Sequence, residues 1–399
     1  MRLGAVWHHL AWEKKLAIVD QVAGFDGALS AIRFKTHGCI YFKEDLQRLT
    51  GISDPIGLIT SDQQHSTLEQ YSMGPLTKAE LWVSGRDQLD IDRGPWQNPE
   101  AYARALGANE VSWIRKHAKR RMNHYLSSKH PELPDDALEL LAKYDQVASF
   151  LVPSTNHESA TTNNTLWHPD LHLDNVFVDP LSHKITGIVD WQSATVAPLF
   201  YQSGIHRAFR HYKSVQEGWV VPQKPENFET LDPSEQQQIE SDLQSEKIHK
   251  YYELQTMKHA PPHWHVLQKS SVYTLRKPVW LVTGVWENRD TFFLRDSLIA
   301  IVAQWNEIFG EDVPCPITFS TEELELHANE EENMDGIGQM LSLLQAQGIL
   351  PADSMVAPED YQTSIENCDK YKEVFLNAAE SEEERDLYAK LWPYLDDLE

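Results

Sequence analysis

Thr165-Leu-Trp-His-Pro-Asp-Leu-His-Leu-Asp-Asn175-Val-Phe-Val-Asp-Pro180, continuing as Leu181-Ser-His-Lys184-Ile-Thr-Gly-Ile-Val-Asp190-Trp-Gln192, is the stretch whose reading decides the fold. Three apolar runs, Thr165–Trp167, Val176–Val178 and Ile185–Val189, alternate with polar clusters. The last two runs are joined by Asp179-Pro180-Leu-Ser, a turn-forming tetrapeptide, so they are expected to form a β-hairpin. A hairpin brings Asn175, before its first strand, close to Asp190, after its second, and Asp170 lies on the loop that enters it. One end of a small sheet then presents two carboxylates and an amide together.

That set suits phosphoryl transfer, which needs a carboxylate to receive the proton of the attacking hydroxyl and hard oxygen ligands for Mg²⁺ at the nucleotide phosphates. Asp170 takes the first role, and Asn175 and Asp190 the second. His168, two residues before Asp170, suits holding the loop by hydrogen bonds better than reacting. Two other readings stay open at this level. His168, Asp170, His172 and Asp174 recur at every second position and would share one face of a metallohydrolase strand. Asp170, Asn175 and Asp190 would otherwise be turn residues with nothing to coordinate. Asp174 and Asp179 read as turn carboxylates.

His168-x-Asp170-x-x-x-x-Asn175 followed by Ile188-Val189-Asp190-Trp191 resembles the catalytic loop and metal-binding Asp of aminoglycoside phosphotransferases and the related choline- and homoserine-kinase-like enzymes, distant relatives of protein kinases. Further pieces are similar to the fungal branch of that family, which includes the "altered inheritance of mitochondria" proteins. They are Phe34-x-x-x-Gly38-x-x-Tyr41, Met73-Gly74-Pro75, Arg93-Gly94-Pro95-Trp96 and Glu110-x-x-Trp113-Ile114. The resemblance covers residues 5–330. It implies an α+β fold, the mainly helical carboxyl-terminal lobe of a protein-kinase-like enzyme with a small β-hairpin sheet. It also implies Mg²⁺ and ATP as cofactors, with Asp170 and His168 catalytic and Asn175 and Asp190 holding metal and nucleotide.

In that family an amino-terminal lobe carries the nucleotide-covering strands and a phosphate-pairing Lys with its Glu partner. This chain as given is expected to begin near the interlobe linker: no G-x-G-x-x-G occurs in it, and Ala31-Ile32-Arg33-Phe34-Lys35 only imitates the Lys-bearing strand. The expected domains are a carboxyl-terminal lobe over 1–330 and an acidic helical extension over 331–399. Two functions follow: an ATP/Mg-dependent phosphotransferase acting on a small-molecule hydroxyl, or a pseudoenzyme or binding scaffold that has lost transfer with that lobe. The acidic surface suits a cationic acceptor. The resemblance places the protein in mitochondria, whereas the amino terminus as given shows neither a signal peptide nor an import sequence and so suits the cytoplasm.

Composition bounds the remaining classes. Of 399 residues, 35 are Lys or Arg and 60 Asp or Glu, for a formal charge of −25. That excludes a protein held on nucleic acid by phosphate contacts, and it disfavours anionic membrane surfaces. The three cysteines, Cys39, Cys315 and Cys368, are too few and too dispersed for a disulfide framework or zinc cluster, which points to a reducing compartment despite the sequon at Asn163-Asn164-Thr165. Cys39 reads as a small buried residue. No apolar run reaches the ~20 residues that cross a bilayer.

Outward from the decisive stretch, helical periodicity marks 10–23, ending at Gly24, together with 99–127, 135–152, 198–216, 233–258 and 292–309, the last ending at Gly310. Ala31–Phe34 and Cys39–Phe42 read as two strands about a glycine turn, and Pro278–Trp286 as a buried strand. Residues 51–98 read as irregular surface. The basic run Arg115–Arg121 reads as a solvated helix face. His259, His263 and His265 about Pro261-Pro262 read as an exposed loop and not a zinc site. Ser320 and Glu323 form a capping box for a helix whose first stretch, Ser320–Asp335, holds seven carboxylates and no Lys or Arg.

Overall fold

The computed structural model describes residues 1–51, 57–58, 68–127, 130–152, 163–216, 218–346, 369–370, 372–377, 379 and 381–392. In chain order the α-helices of the described residues are α1 Gly4–Trp7, α2 Trp12–Ser30, α3 Lys43–Thr50, α4 Pro99–His117, α5 Pro134–Val147, α6 Leu199–Gln202, α7 Pro233–His259, α8 Pro261–Leu267, α9 Ser270–Leu281, α10 Thr291–Ala303, α11 Trp305–Phe309, α12 Thr321–Ala346 and α13 Glu382–Leu391. The strands are β1 Cys39–Phe42, β2 Tyr71–Gly74, β3 Asn164–Trp167, β4 Val176–Val178, β5 Ile185–Ile188 and β6 Thr195–Pro198. The architecture is α+β and mainly helical. Two compact units divide the chain, one built from Met1–Asn109 and Val147–Thr283, the other from Glu110–Gln146 and Gly284–Glu399.

The first unit contains three antiparallel strand pairs, β1 with β2, β3 with β6 and β4 with β5. The expected hairpin is β4–β5, with Val176 opposite Ile188 and Phe177 opposite Gly187, and a bulge between Phe177 and Val178. Asp179 closes its turn by accepting from the amides of Leu181 and Ser182. The other edge of β4 is bonded to the chain's first residues, Leu3 N donating to Val176 O and Val178 N to Met1 O. Beneath the hairpin, Val176 and Val178 join Leu3, Trp7, Ile18, Val22, Phe209 and Tyr252 in one apolar core. Burying side chains of this size stabilises by about 1.5–3 kcal/mol each and fixes the hairpin's orientation.

Several expectations need correction, each for a tertiary reason. Helix α2 does not stop at Gly24 but runs to Ser30. Gly27 lets it approach α7 closely, because a Cβ there would collide with the carbonyl oxygen of His259. Ala31–Phe34 forms no strand beyond a single bridge between Phe34 and Asn164, and the partner of β1 is β2, some thirty residues on in a region expected to be irregular. The helix expected over 198–216 shrinks to α6, because Ser203–His211 is held by side chains described below. Pro278–Trp286 is no strand, since α9 runs through Pro278 to Leu281. His263 lies in α8 and is 1 % exposed, not on an exposed loop. Cys39 is buried, as expected.

In the second unit, the basic run does not continue as helix to residue 127. Helix α4 ends at His117, and Arg121 then exchanges backbone hydrogen bonds with Glu132. The Arg121 side chain pairs with Glu132 at 2.7 Å and lies 4.3 Å over the Trp286 ring. The expected helix over 292–309 is α10 and α11, broken at Gln304 and ended by Gly310 at φ 88°. The capping box is present: Ser320 N donates to Glu323, and Glu323 N to Ser320 Oγ. Most of the extension beyond Ala346 lies outside the described residues.

Candidate functional site

Strand β3 ends at Trp167 and delivers His168-Pro169-Asp170 onto a loop. The loop closes through a short 3₁₀ turn, Leu173–Asn175, whose first free amide, that of Asp174, donates to His172 Nδ1. Asn175 is 7 % exposed, and its Nδ2 donates to the carbonyl oxygen of Asp170 at 3.0 Å. Across the hairpin, Val189 N donates to Asn175 O at 3.0 Å. His168 is buried, and its Nε2 lies 2.9 Å from Val189 O, while its ring meets that of Trp191 edge-on at 4.8 Å. Asp190 follows in the left-handed region, φ 63°, with its side chain exposed. Aspartate is one of the few non-glycine residues that enter this region readily, so the turn accepts it there.

The structure thus draws His168, Asp170, Asn175 and the residue next to Asp190 into one hydrogen-bonded assembly, all on elements of the first unit. Asp170 presents its carboxylate to solvent, with Arg207 Nη1 at 3.5 Å and His172 Nε2 at 3.8 Å. The amide nitrogen of Asn175 is committed to the loop, which leaves Oδ1 as its remaining polar atom. Asp190 has no hydrogen-bond or ion-pair partner among the described residues. An amide oxygen and a free carboxylate match the hard-oxygen donors Mg²⁺ accepts while keeping waters. No group of three or more His, Cys, Asp or Glu that could hold a metal occurs among the described residues. The strand that would set His168, Asp170, His172 and Asp174 on one face is not formed, because β3 ends at Trp167 and the segment closes in the 3₁₀ turn Leu173–Asn175. Of the other histidines, His259 pairs with Asp20 and His263 with Gly204 O.

Residues that sequence reasoning missed hold the loop from behind. Ala208 N donates to Leu171 O, so the turn at 206–209 lies against the loop and places Arg207 beside Asp170. That turn is fastened inward by His206, whose Nε2 is 3.0 Å from the buried carboxylate of Asp26 in α2. Tyr252 OH of α7 donates to the same carboxylate at 2.7 Å, and the His206 ring stacks on Trp167 at 4.3 Å. Burial alone would raise the Asp26 carboxyl, but the charge and hydrogen bond of His206, with help from His263 and the Tyr252 hydroxyl, outweigh it and hold the group below its ordinary range. Burial and the Asp26 charge push the Tyr252 hydroxyl well up. Positions 26, 206, 252 and 263 share no spacing, so no local signal could have joined them.

Residues 89–221, the segment containing all four site residues, match the profile of the phosphotransferase enzyme family known as APH. The chain is 26 % identical to a subtelomeric hrmA-associated cluster protein of Aspergillus fumigatus, over 99 % of this chain and 80 % of the relative. It is 22 % identical to altered inheritance of mitochondria protein 9, mitochondrial, of Yarrowia lipolytica, over 87 % of this chain and 59 % of that protein. The Candida glabrata protein of the same name is also 22 % identical, over 84 % of this chain and 54 % of the relative. No solved structure matches the chain.

Proposed function

Because this chain carries a domain of the phosphotransferase enzyme family, with its kinase-like fold, we propose that it transfers the terminal phosphoryl group of ATP to the hydroxyl of a small molecule. The observation that carries this reading is the double tie of Asn175, through Nδ2 to Asp170 O and through its own carbonyl to Val189 N, which holds the three oxygen-bearing side chains on one hairpin end. Asp170 receives the proton of the attacking hydroxyl as the new O–P bond forms and the nucleoside diphosphate departs. Asn175 Oδ1 and the Asp190 carboxylate are the groups that would hold Mg²⁺, which supplies charge neutralisation at the phosphates when bound. His168 fixes the backbone at Val189 and so the place of Asp190. Arg207 Nη1, 3.5 Å from the Asp170 carboxylate, is placed to meet an approaching anionic phosphate.

A cationic alcohol is the acceptor class that the −25 charge would attract. Mitochondrial residence is part of the same reading, supported by the names of the Yarrowia and Candida relatives. The test is ADP release by the purified chain with Mg·ATP, with and without amino sugars and choline-like alcohols, compared with Asp170→Asn. Loss of a carboxylate that moves a proton lowers such rates by about 10²–10⁴-fold. Equal rates in the two proteins would remove Asp170 from the chemistry.

A further inference from the structure

Helix α2 begins at Trp12 after Ala11, a residue with no side-chain acceptor to cap the first-turn amides. Its amino-terminal end faces a concavity of about 500 Å³ lined by His8, Leu10, Trp12 and Lys15, and by Gln244 and Lys247 from α7. Lys15 is only 9 % exposed, yet neither its side chain nor that of Lys247 has a carboxylate or hydrogen-bond partner among the described residues. The Lys15 ammonium lies over the face of Trp7, 5.6 Å from the ring centroid. Lysines are seldom so buried without a counter-charge. In a chain with 60 carboxylates against 35 cations, none of the six lining residues is acidic. Glu13, in the same turn, is exposed and outside the lining.

We propose that this concavity binds a phosphate monoester. Lys15 and Lys247 would supply charge, the uncapped end of α2 its amides and positive dipole end, and Leu10 with Trp12 an apolar wall for the organic part. The site is separate from Asp170 and Asn175 and does not depend on the transfer reaction. Free esters and lipid headgroups share this chemistry, and the experiment separates them.

Calorimetric titration of the full chain in EDTA with phenyl phosphate, and flotation with phosphatidylcholine vesicles with and without phosphatidic acid, test the site. Binding of either phosphate source that weakens about tenfold in Lys247→Met, and again as salt rises, supports it. Phenyl phosphate alone identifies a soluble ester, and phosphatidic acid alone a headgroup. Lys15→Met is expected to behave likewise, and because Lys247 is on the rim its variant decides the matter should Lys15→Met fail to fold. Asp190→Asn is expected to bind as the unaltered chain does. Absence of binding by both probes, unchanged affinity in Lys247→Met, or equal loss in Asp190→Asn would overturn the assignment.

Discussion

His168 and Val189, twenty-one positions apart, meet where the imidazole Nε2 of the first lies 2.9 Å from the carbonyl oxygen of the second. This one contact ties the loop bearing Asp170 to the residue that precedes Asp190. His168→Ala is therefore expected to lower turnover of the proposed transfer by about tenfold or more, since small misplacements of reacting groups are costly. His168→Gln, which can still reach Val189 O, should recover part of it. Steady-state rates of ADP release for both variants check this, with circular dichroism to confirm folding.

Asp190 separates backbone need from chemical need. Its φ of 63° suits glycine, so Asp190→Gly should leave thermal stability within about 0.5 kcal/mol of the parent or raise it slightly. The same change removes the free carboxylate, so Mg²⁺-dependent enhancement of nucleotide binding should disappear. Calorimetric titration of ATP with and without Mg²⁺ reads the second effect, and a melting curve the first.

Two glycines in α2 should respond in opposite directions. At Gly24 an added Cβ meets nothing within 4 Å, and Gly24→Ala should stabilise by up to about 1 kcal/mol through helix propensity. At Gly27 the Cβ would run into the backbone of His259, and Gly27→Ala should cost about 1–3 kcal/mol. Urea denaturation of the two variants beside the parent measures both. Equal effects would mean that α2 and α7 do not approach at residue 27.

The buried histidine of α8 gives the protein an acid-sensitive stability. Burial, only partly opposed by the Asp26 charge, depresses His263 to about 4, against roughly 6.5 in an unfolded chain. Stability from its neutral form is complete above about pH 6.5 and drains away as pH falls towards 4, by a few kcal/mol in all. Asp26, held below its ordinary value, keeps its contribution through that window and loses it only below about pH 4. Denaturation midpoints should thus fall between pH 6.5 and 4 in the parent and flatten in His263→Gln, whose amide can still reach Gly204 O.

Breaking the Asp26–His206 contact tests the support behind the loop. Asp26→Asn leaves His206 and the Tyr252 hydroxyl facing a neutral amide, and disruption of a buried pair costs about 3–5 kcal/mol. Amide exchange at Leu171–Asn175 should speed up in that variant beyond what the global loss accounts for, because Ala208 N anchors Leu171 O through the same turn.

The chain's local grammar is set by neighbours along the sequence. The Asp179-Pro180 turn between two apolar runs specifies the β4–β5 hairpin, and with it the adjacency of Asn175 and Asp190, without help from distant residues. Ser320 and Glu323 likewise write their own helix start, and Gly310 its helix end. Here the hydrogen-bond partners lie within a few residues, so spacing carries the information.

What distance decides, spacing cannot. Whether Cys39–Phe42 pairs with 31–34 or with Tyr71–Gly74 depends on which segment the core brings alongside, and both are short enough for either. Gly24 ends a helix in isolation, but the apolar face shared by α2 and α7 outweighs about 1 kcal/mol of glycine cost and carries the helix to Ser30. Asp26, His206, Tyr252 and His263 become one buried cluster only when α2, α7, α8 and the 206–209 turn close on one another, because charge and burial act through space and not along the chain.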